Sequence, residues 1–319
     1  MIPGHDQPWQ QWRTALAGPR MHHGWILAGR RGLGKMEFAL AAARELVGPH
    51  GAMQLRSDHP DILILSHPPK DEKEAAKSAE GKPFEVKRNI PIDSIRTMQQ
   101  RLTKRPTLGS RRAVILNPAD DLEPSASNAL LKSLEEPPAG TYFLLVTHRP
   151  ARLLATIRSR CRLLRFPALT DDEILALLAR EAPHADAATR LAAANAAGGS
   201  PGVAREFLAL ELGPVEALMR QLIRQGDPLL NARGNLAAAI GAKPGRERVQ
   251  AIIDLARSVV ADAARDAPAT SFPRLAETYS RLVALAAQVP TYNFDPGLLA
   301  MEIGTLLALA APASERAHA

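Results

Sequence analysis

The chain has 319 residues, 46% hydrophobic and 23% charged, which leaves room for two or three domains of about 150 residues and excludes disordered, collagen-like and disulfide-scaffold classes. A single cysteine, Cys161, excludes an internal disulfide and a multi-cysteine zinc site. The formal charge of +7, from 40 Lys and Arg against 33 Asp and Glu, suits a polyanionic partner without identifying one.

Aromatic residues are only 4% of the chain, so the core must be built of Leu, Ala, Ile and Val, a composition that favours helices. No run approaches the ~18 apolar residues of a membrane span. The N-terminal MIPGHDQPWQQW lacks a basic segment followed by an apolar one. The expected setting is cytoplasmic, with no membrane partner.

The first predicted element is a strand at residues 25–29 (WILAG). A glycine-rich turn runs from Gly29 to Gly34, and a helix follows from Lys35 to about Val47, carrying Phe38, Leu40, Ala42 and Leu46. Residues 61–65 (DILIL) read as a second strand. Residues 66–89 are polar and Lys/Glu-rich at their centre, and read as an exposed insertion. A helix is predicted over 92–104, with Ile92, Ile95, Met98 and Leu102 on one face; Pro91 fits its first turn and Pro106 stops it. Residues 112–116 (RAVIL) are a third strand, 125–136 a helix ended by Pro137 and Pro138, and 142–147 (YFLLVT) a fourth strand.

Strands alternating with helices argue for a parallel sheet covered on both faces. After about residue 165 no strand pattern remains. Residues 171–181 and 187–197 read as helices, the second ending at Gly198 and Gly199, and the rest is Ala/Leu-rich with helical spacing. The predicted class is α/β followed by all-α. An α/β domain spans 1–166, a small helical domain 167–208 and a helical C-terminal domain 209–319, with no internal repeat.

Gly29 to Lys35 (GRRGLGK) has the G-x-x-x-x-G-K spacing of a phosphate-binding loop, after a strand and at the start of a helix. Gly29, Gly32 and Gly34 would let backbone N–H groups approach phosphate, the helix N-terminus adds partial positive charge, and Lys35 would reach the terminal phosphates. The next residue should be Ser or Thr, whose hydroxyl holds magnesium. It is Met36, and a thioether is a poor ligand for a hard cation. The third strand ends at Asn117 and Pro118, where such NTPases carry a carboxylate. Asp120 and Asp121 fall past the strand end, in a turn. Two defects in one reaction centre predict no intrinsic hydrolysis.

Residues 128–138 read NALLKSLEEPP and residues 156–161 read TIRSRC. Together with the loop, the strand ends, Trp9 and Trp12, these residues resemble the clamp-loader branch of the AAA+ ATPases over about residues 8–205. The degenerate LNPADDL at 116–122 resembles the bacterial, non-hydrolysing type of subunit rather than the ATPase subunit. The resemblance implies a RecA-like AAA+ domain, a helical lid and a helical collar that joins subunits into a hetero-pentameric ring. It implies ATPase partners of the gamma/tau type and a delta subunit. It also implies a sliding clamp, and primer-template DNA reached through the assembly. The role implied is that of a component of a DNA-directed DNA polymerase holoenzyme, without ATP turnover of its own.

Arg160 matches the family's arginine finger, a cationic fork offered in trans to a neighbour's terminal phosphate. Read on composition alone it is one more surface arginine beside Arg149, Arg152, Arg158, Arg162 and Arg165. Flanking arginines would lower the Cys161 thiol pKa, but nothing else points to a nucleophile. Thr147 matches the family's first sensor position. The second sensor's arginine is missing from Gly199-Ser200-Pro201-Gly202. The family's cysteine zinc module is absent too, since residues 48–60 hold only His50 and His59; neither metal nor cofactor is expected. Two other readings remain: an autonomous AAA+ ATPase that tolerates a damaged site, and a basic helical nucleic-acid-binding protein with a vestigial loop. ATP turnover by the chain alone would mark the first, and tight, salt-sensitive DNA binding the second. No aromatic stacking array stands among the basic residues.

Overall fold

The computed structural model describes residues 4–48, 59–289 and 294–312. It divides into two units, Met1–Ala168 and Leu169–Ala319.

The first unit holds a parallel five-stranded sheet. Its strands are β1 (Gly24–Ala28), β2 (Ile62–Leu65), β3 (Arg112–Leu116), β4 (Thr141–Thr147) and β5 (Arg162–Arg165), in the order β2-β3-β4-β1-β5. The inner strands are continuous apolar runs because both faces are covered. Alternate residues divide between two cores, as the two-residue strand period requires. Trp25, Leu27, Ala113, Ile115, Leu144 and Val146 lie on one side with α2 (Lys35–Val47). Ile26, Val114, Leu116, Phe143 and Leu145 lie on the other with α4 (Ile92–Leu102) and α5 (Pro124–Glu135).

Four elements in this unit go beyond the sequence prediction. The N-terminal α1 (Asp6–Ala17) buries Trp9 and Trp12 against Phe38 and Trp25. The polar insertion contains α3 (Glu72–Ala79), capped by Asp71, whose carboxylate accepts from Glu74 N at 2.9 Å. Strand β5 follows the short α6 (Ala155–Ser159); its RLLR sequence buries only Leu164, so no apolar run announces it.

Among the described residues the second unit is wholly helical. It runs through α7 (Asp171–Glu181), α8 (Ala187–Ala197), α9 (Pro201–Ala209), α10 (Gly213–Gln225), α11 (Asn231–Ile240), α12 (Arg246–Asp266), α13 (Phe272–Gln288) and α14 (Pro296–Leu309). Thr170 and Glu173 form a capping box on α7, and Asp186, Ser200 and Asp295 cap α8, α9 and α14. One core, mostly Ala, Leu and Ile, extends from Leu169 to Ala310. Gly304 allows α14 to approach α11 closely, since a Cβ there would lie 2.7 Å from Arg233 Cγ. No helix among the described residues is long and apolar enough to cross a membrane.

Candidate functional site

The phosphate-type loop leaves the C-terminal end of β1. Gly29 has no room for a side chain, since a Cβ would sit 2.7 Å from Phe166 O. Gly32 and Gly34 hold φ of 78° and 73°, where a Cβ would be strained. Lys35 is buried at the start of α2, and its Nζ donates to Gly29 O at 2.7 Å and Arg30 O at 2.5 Å. Burial lowers its pKa to about 8, against the opposing charges of Asp120 and Glu37. The predicted loop is therefore formed, with its lysine turned onto the loop's own carbonyls. His5, which sequence reasoning did not single out, pins the outside: its Nε2 donates to Leu33 O at 2.6 Å and its ring meets Phe38 and Phe166 edge-on.

Strand pairing brings the other predicted nucleotide-site positions to the same edge of the sheet. Ala28 is level with Thr147, and Leu116 with Leu145. Met36 packs half-buried against the apolar core beneath α2. Asn117 donates its N–H to Leu65 O at 2.9 Å. Asp120 accepts from His148 N at 3.0 Å, and Asp121 pairs with His67 Nε2 at 3.2 Å. The His67 contact holds the Asp121 carboxyl below its ordinary pKa. Thr147 is buried, with Oγ1 accepting from Arg149 N at 3.2 Å. Burial and the nearby Lys35 ammonium lower the His148 pKa, and its Nδ1 is buried without a hydrogen-bond partner. The donor set at this edge does not fit a magnesium–nucleotide centre: a core-packed thioether stands where a hydroxyl is needed, and an uncharged amide where a carboxylate is needed. Of the two histidines weighed for zinc, His50 lies outside the described residues, and His59 Nδ1 accepts from Asp61 N at 3.1 Å.

Arg160 lies at the other end of the strands. A Cβ at Gly24, the first residue of β1, would come 2.8 Å from Cys161 Sγ and 3.1 Å from Arg160 O. The loop begins past the opposite end, after Ala28; the five residues of β1 separate the two ends by about 13 Å. Arg160 closes α6, where its Nη1 donates to Thr156 O at 3.1 Å and Ser159 Oγ at 3.4 Å, and its Nη2 pairs with Glu135 Oε1 at 2.8 Å. None of these partners belongs to the phosphate-type loop, so this guanidinium does not serve the loop of its own chain.

Cys161 differs from what its arginine neighbours imply. Burial raises the thiol pKa to about 12. At pH 8 the folded chain should therefore react with iodoacetamide about 10³-fold more slowly than a free cysteine, because only the thiolate attacks. Full labelling is expected after unfolding; rapid labelling of the folded protein, followed by mass spectrometry, would contradict the raised thiol pKa.

The protein-family model described as DNA polymerase III, delta subunit matches residues 4–170. The DNA polymerase III subunit delta' of Pseudomonas aeruginosa is 35% identical over 217 residues, which cover 63% of this chain and 60% of that protein. That of Escherichia coli is 32% identical over 197 residues, 58% of this chain and 54% of that protein. The chain thus spans 60% or less of these relatives' lengths. A solved DNA polymerase III gamma subunit-related protein of Thermotoga maritima is 21% identical, with a TM-score of 0.48, over 95% of this chain and 99% of that one.

Proposed function

The chain belongs to the DNA polymerase III, delta subunit family, and on that premise we propose that it is a non-hydrolysing, delta'-type subunit of a clamp loader. It would act by joining gamma/tau-type ATPase subunits and a delta subunit in a five-membered ring that places the sliding clamp on primer-template DNA. Its contribution to chemistry is Arg160, offered to a neighbour's ATP. The observation that carries this reading is the separation within one chain: the guanidinium sits at one end of β1 and the degenerate loop at the other.

In this reading Gly29, Gly32, Gly34 and Lys35 are a relic of a nucleotide loop, and Thr147 is a structural residue at a former sensor position. Residues 167–208 form the lid and 209–319 the collar.

The test is reconstitution. The purified chain alone should show no magnesium-dependent ATP turnover, and adding it to gamma/tau and delta should restore clamp loading. Steady turnover by the chain alone overturns the reading, as does failure to join the complex. Lys35→Ala should leave loading within about twofold of wild type, because an amine bound to its own loop carbonyls contributes little to partner chemistry. A large loss with assembly intact would show that the loop still binds nucleotide.

A further inference from the structure

Arg160 is anchored at both nitrogens of its fork, and the second anchor comes from a different helix. Glu135 is the last residue of α5, and its Oε1 lies 2.8 Å from Arg160 Nη2. The two side chains are 48% and 37% exposed, and an ion pair that open adds little to stability. Nor does Glu135 help its helix, since a carboxylate at a helix C-terminus opposes the macrodipole. The pairing is not explained by folding, yet its geometry is firmly built. Leu134 is buried in the core, and its carbonyl accepts from His23 Nε2 at 2.8 Å. On the other side, Arg160 O and the half-buried Cys161 thiol lie against Gly24.

We propose that Glu135 is a positioning residue for Arg160, holding the guanidinium ready for a neighbour's phosphate; this rests on the trans reading of Arg160. Arginine has five N–H donors. Nη1 donates to Thr156 O and Ser159 Oγ, and Nη2 is ion-paired with Glu135 at 2.8 Å. Among the described residues the Nε–H meets no acceptor, and it is left for a phosphate oxygen. Glu135 thereby orders a flexible side chain before the phosphate arrives, so that less freedom is lost in the transition state.

The experiment is DNA-stimulated ATP hydrolysis by the reconstituted complex carrying Glu135→Ala, Glu135→Gln, Arg160→Ala or Glu135→Ala with Arg160→Ala. Glu135→Ala should lower kcat by about tenfold with KM for ATP unchanged, a smaller loss than the 10²-fold that a misplacement of about 1 Å costs. Glu135→Gln keeps an acceptor and should retain most of the activity. Glu135→Ala should do nothing further once Arg160 is alanine, and its melting temperature should match wild type. Wild-type kcat in Glu135→Ala beside a crippled Arg160→Ala overturns the positioning role. A further loss from Glu135→Ala in the Arg160→Ala background also overturns it. A neutral Arg160→Ala instead overturns the trans reading itself.

Discussion

Replacing Arg160 by alanine should slow ATP hydrolysis at the site this chain completes by about 10³-fold or more, within the 10³–10⁵ that an arginine supplied in trans contributes. A 10³-fold loss corresponds to about 4 kcal/mol of transition-state stabilisation. That exceeds what the same substitution takes from folding. The Arg160–Glu135 pair is solvent-accessible on both sides, and such pairs contribute about 0–1 kcal/mol. The variant should therefore fold, assemble and leave nucleotide binding by the neighbour nearly intact, while turnover collapses. Arg160→Lys should recover little, because an ammonium has no planar fork with which to hold two phosphate oxygens. Assembly followed by size-exclusion chromatography, nucleotide affinity and single-turnover hydrolysis separates these effects. Wild-type turnover in a fully assembled Arg160→Ala complex would remove this residue from the chemistry.

The parts of this arrangement differ in how openly the sequence displays them. The β1–loop–α2 unit was readable because an apolar run, glycines at turn positions and strong helix formers follow in the order the geometry requires. The inner strands were readable for a related reason: burial on both faces leaves uninterrupted apolar letters. Edge strand β5 was not, because three of its four residues face solvent. In α3 the only buried residue is Glu74, held by Lys77 Nζ and Glu85 N, so a polar insertion hides an ordered helix. Arg160 is singled out by its motif alone. Its tether is not, since Glu135 stands on another helix and only the packing of α5 beside α6 brings the carboxylate to the guanidinium. His5 was hidden in the same way, as a single polar residue whose role depends on where Leu33 O comes to rest.

The largest stability loss in the first unit should come from the buried pair Asp61–Arg112, which no local pattern announces. Their side chains are 1% and 6% exposed, and their direct contact is long, at 3.4 Å. Each is occupied mainly with backbone. Arg112 donates to the carbonyls of Arg101, Lys104 and Arg105 at 2.9, 3.0 and 2.9 Å, closing the end of α4. Asp61 accepts from Thr107 N at 2.7 Å and Leu108 N at 2.8 Å, closing the loop that follows. Arg112→Met strands a buried carboxylate and frees three carbonyls, so it should cost about 3–5 kcal/mol. For a unit of this size that is a fall in melting temperature of about 6–20 °C.

Tryptophan fluorescence reads this unit alone, because the three tryptophans, Trp9, Trp12 and Trp25, all lie in it. The pH dependence has a definite sign. Burial raises the Asp61 pKa, but the Leu108 and Thr107 amides and Arg112 together outweigh it, leaving the folded value below the ordinary 3.8. The carboxylate thus stabilises the fold above its unfolded pKa, and that contribution is lost as pH falls through the folded value. The gap between wild type and Arg112→Met should be full at pH 7 and narrow in acid, where protonation removes the stranded charge. Asp61→Ala combined with Arg112→Met should cost less than the sum of the single changes, since no lone ion is left inside. A gap below about 1 kcal/mol at pH 7 would mean that solvent reaches the pair and that the surrounding backbone holds α4 without it.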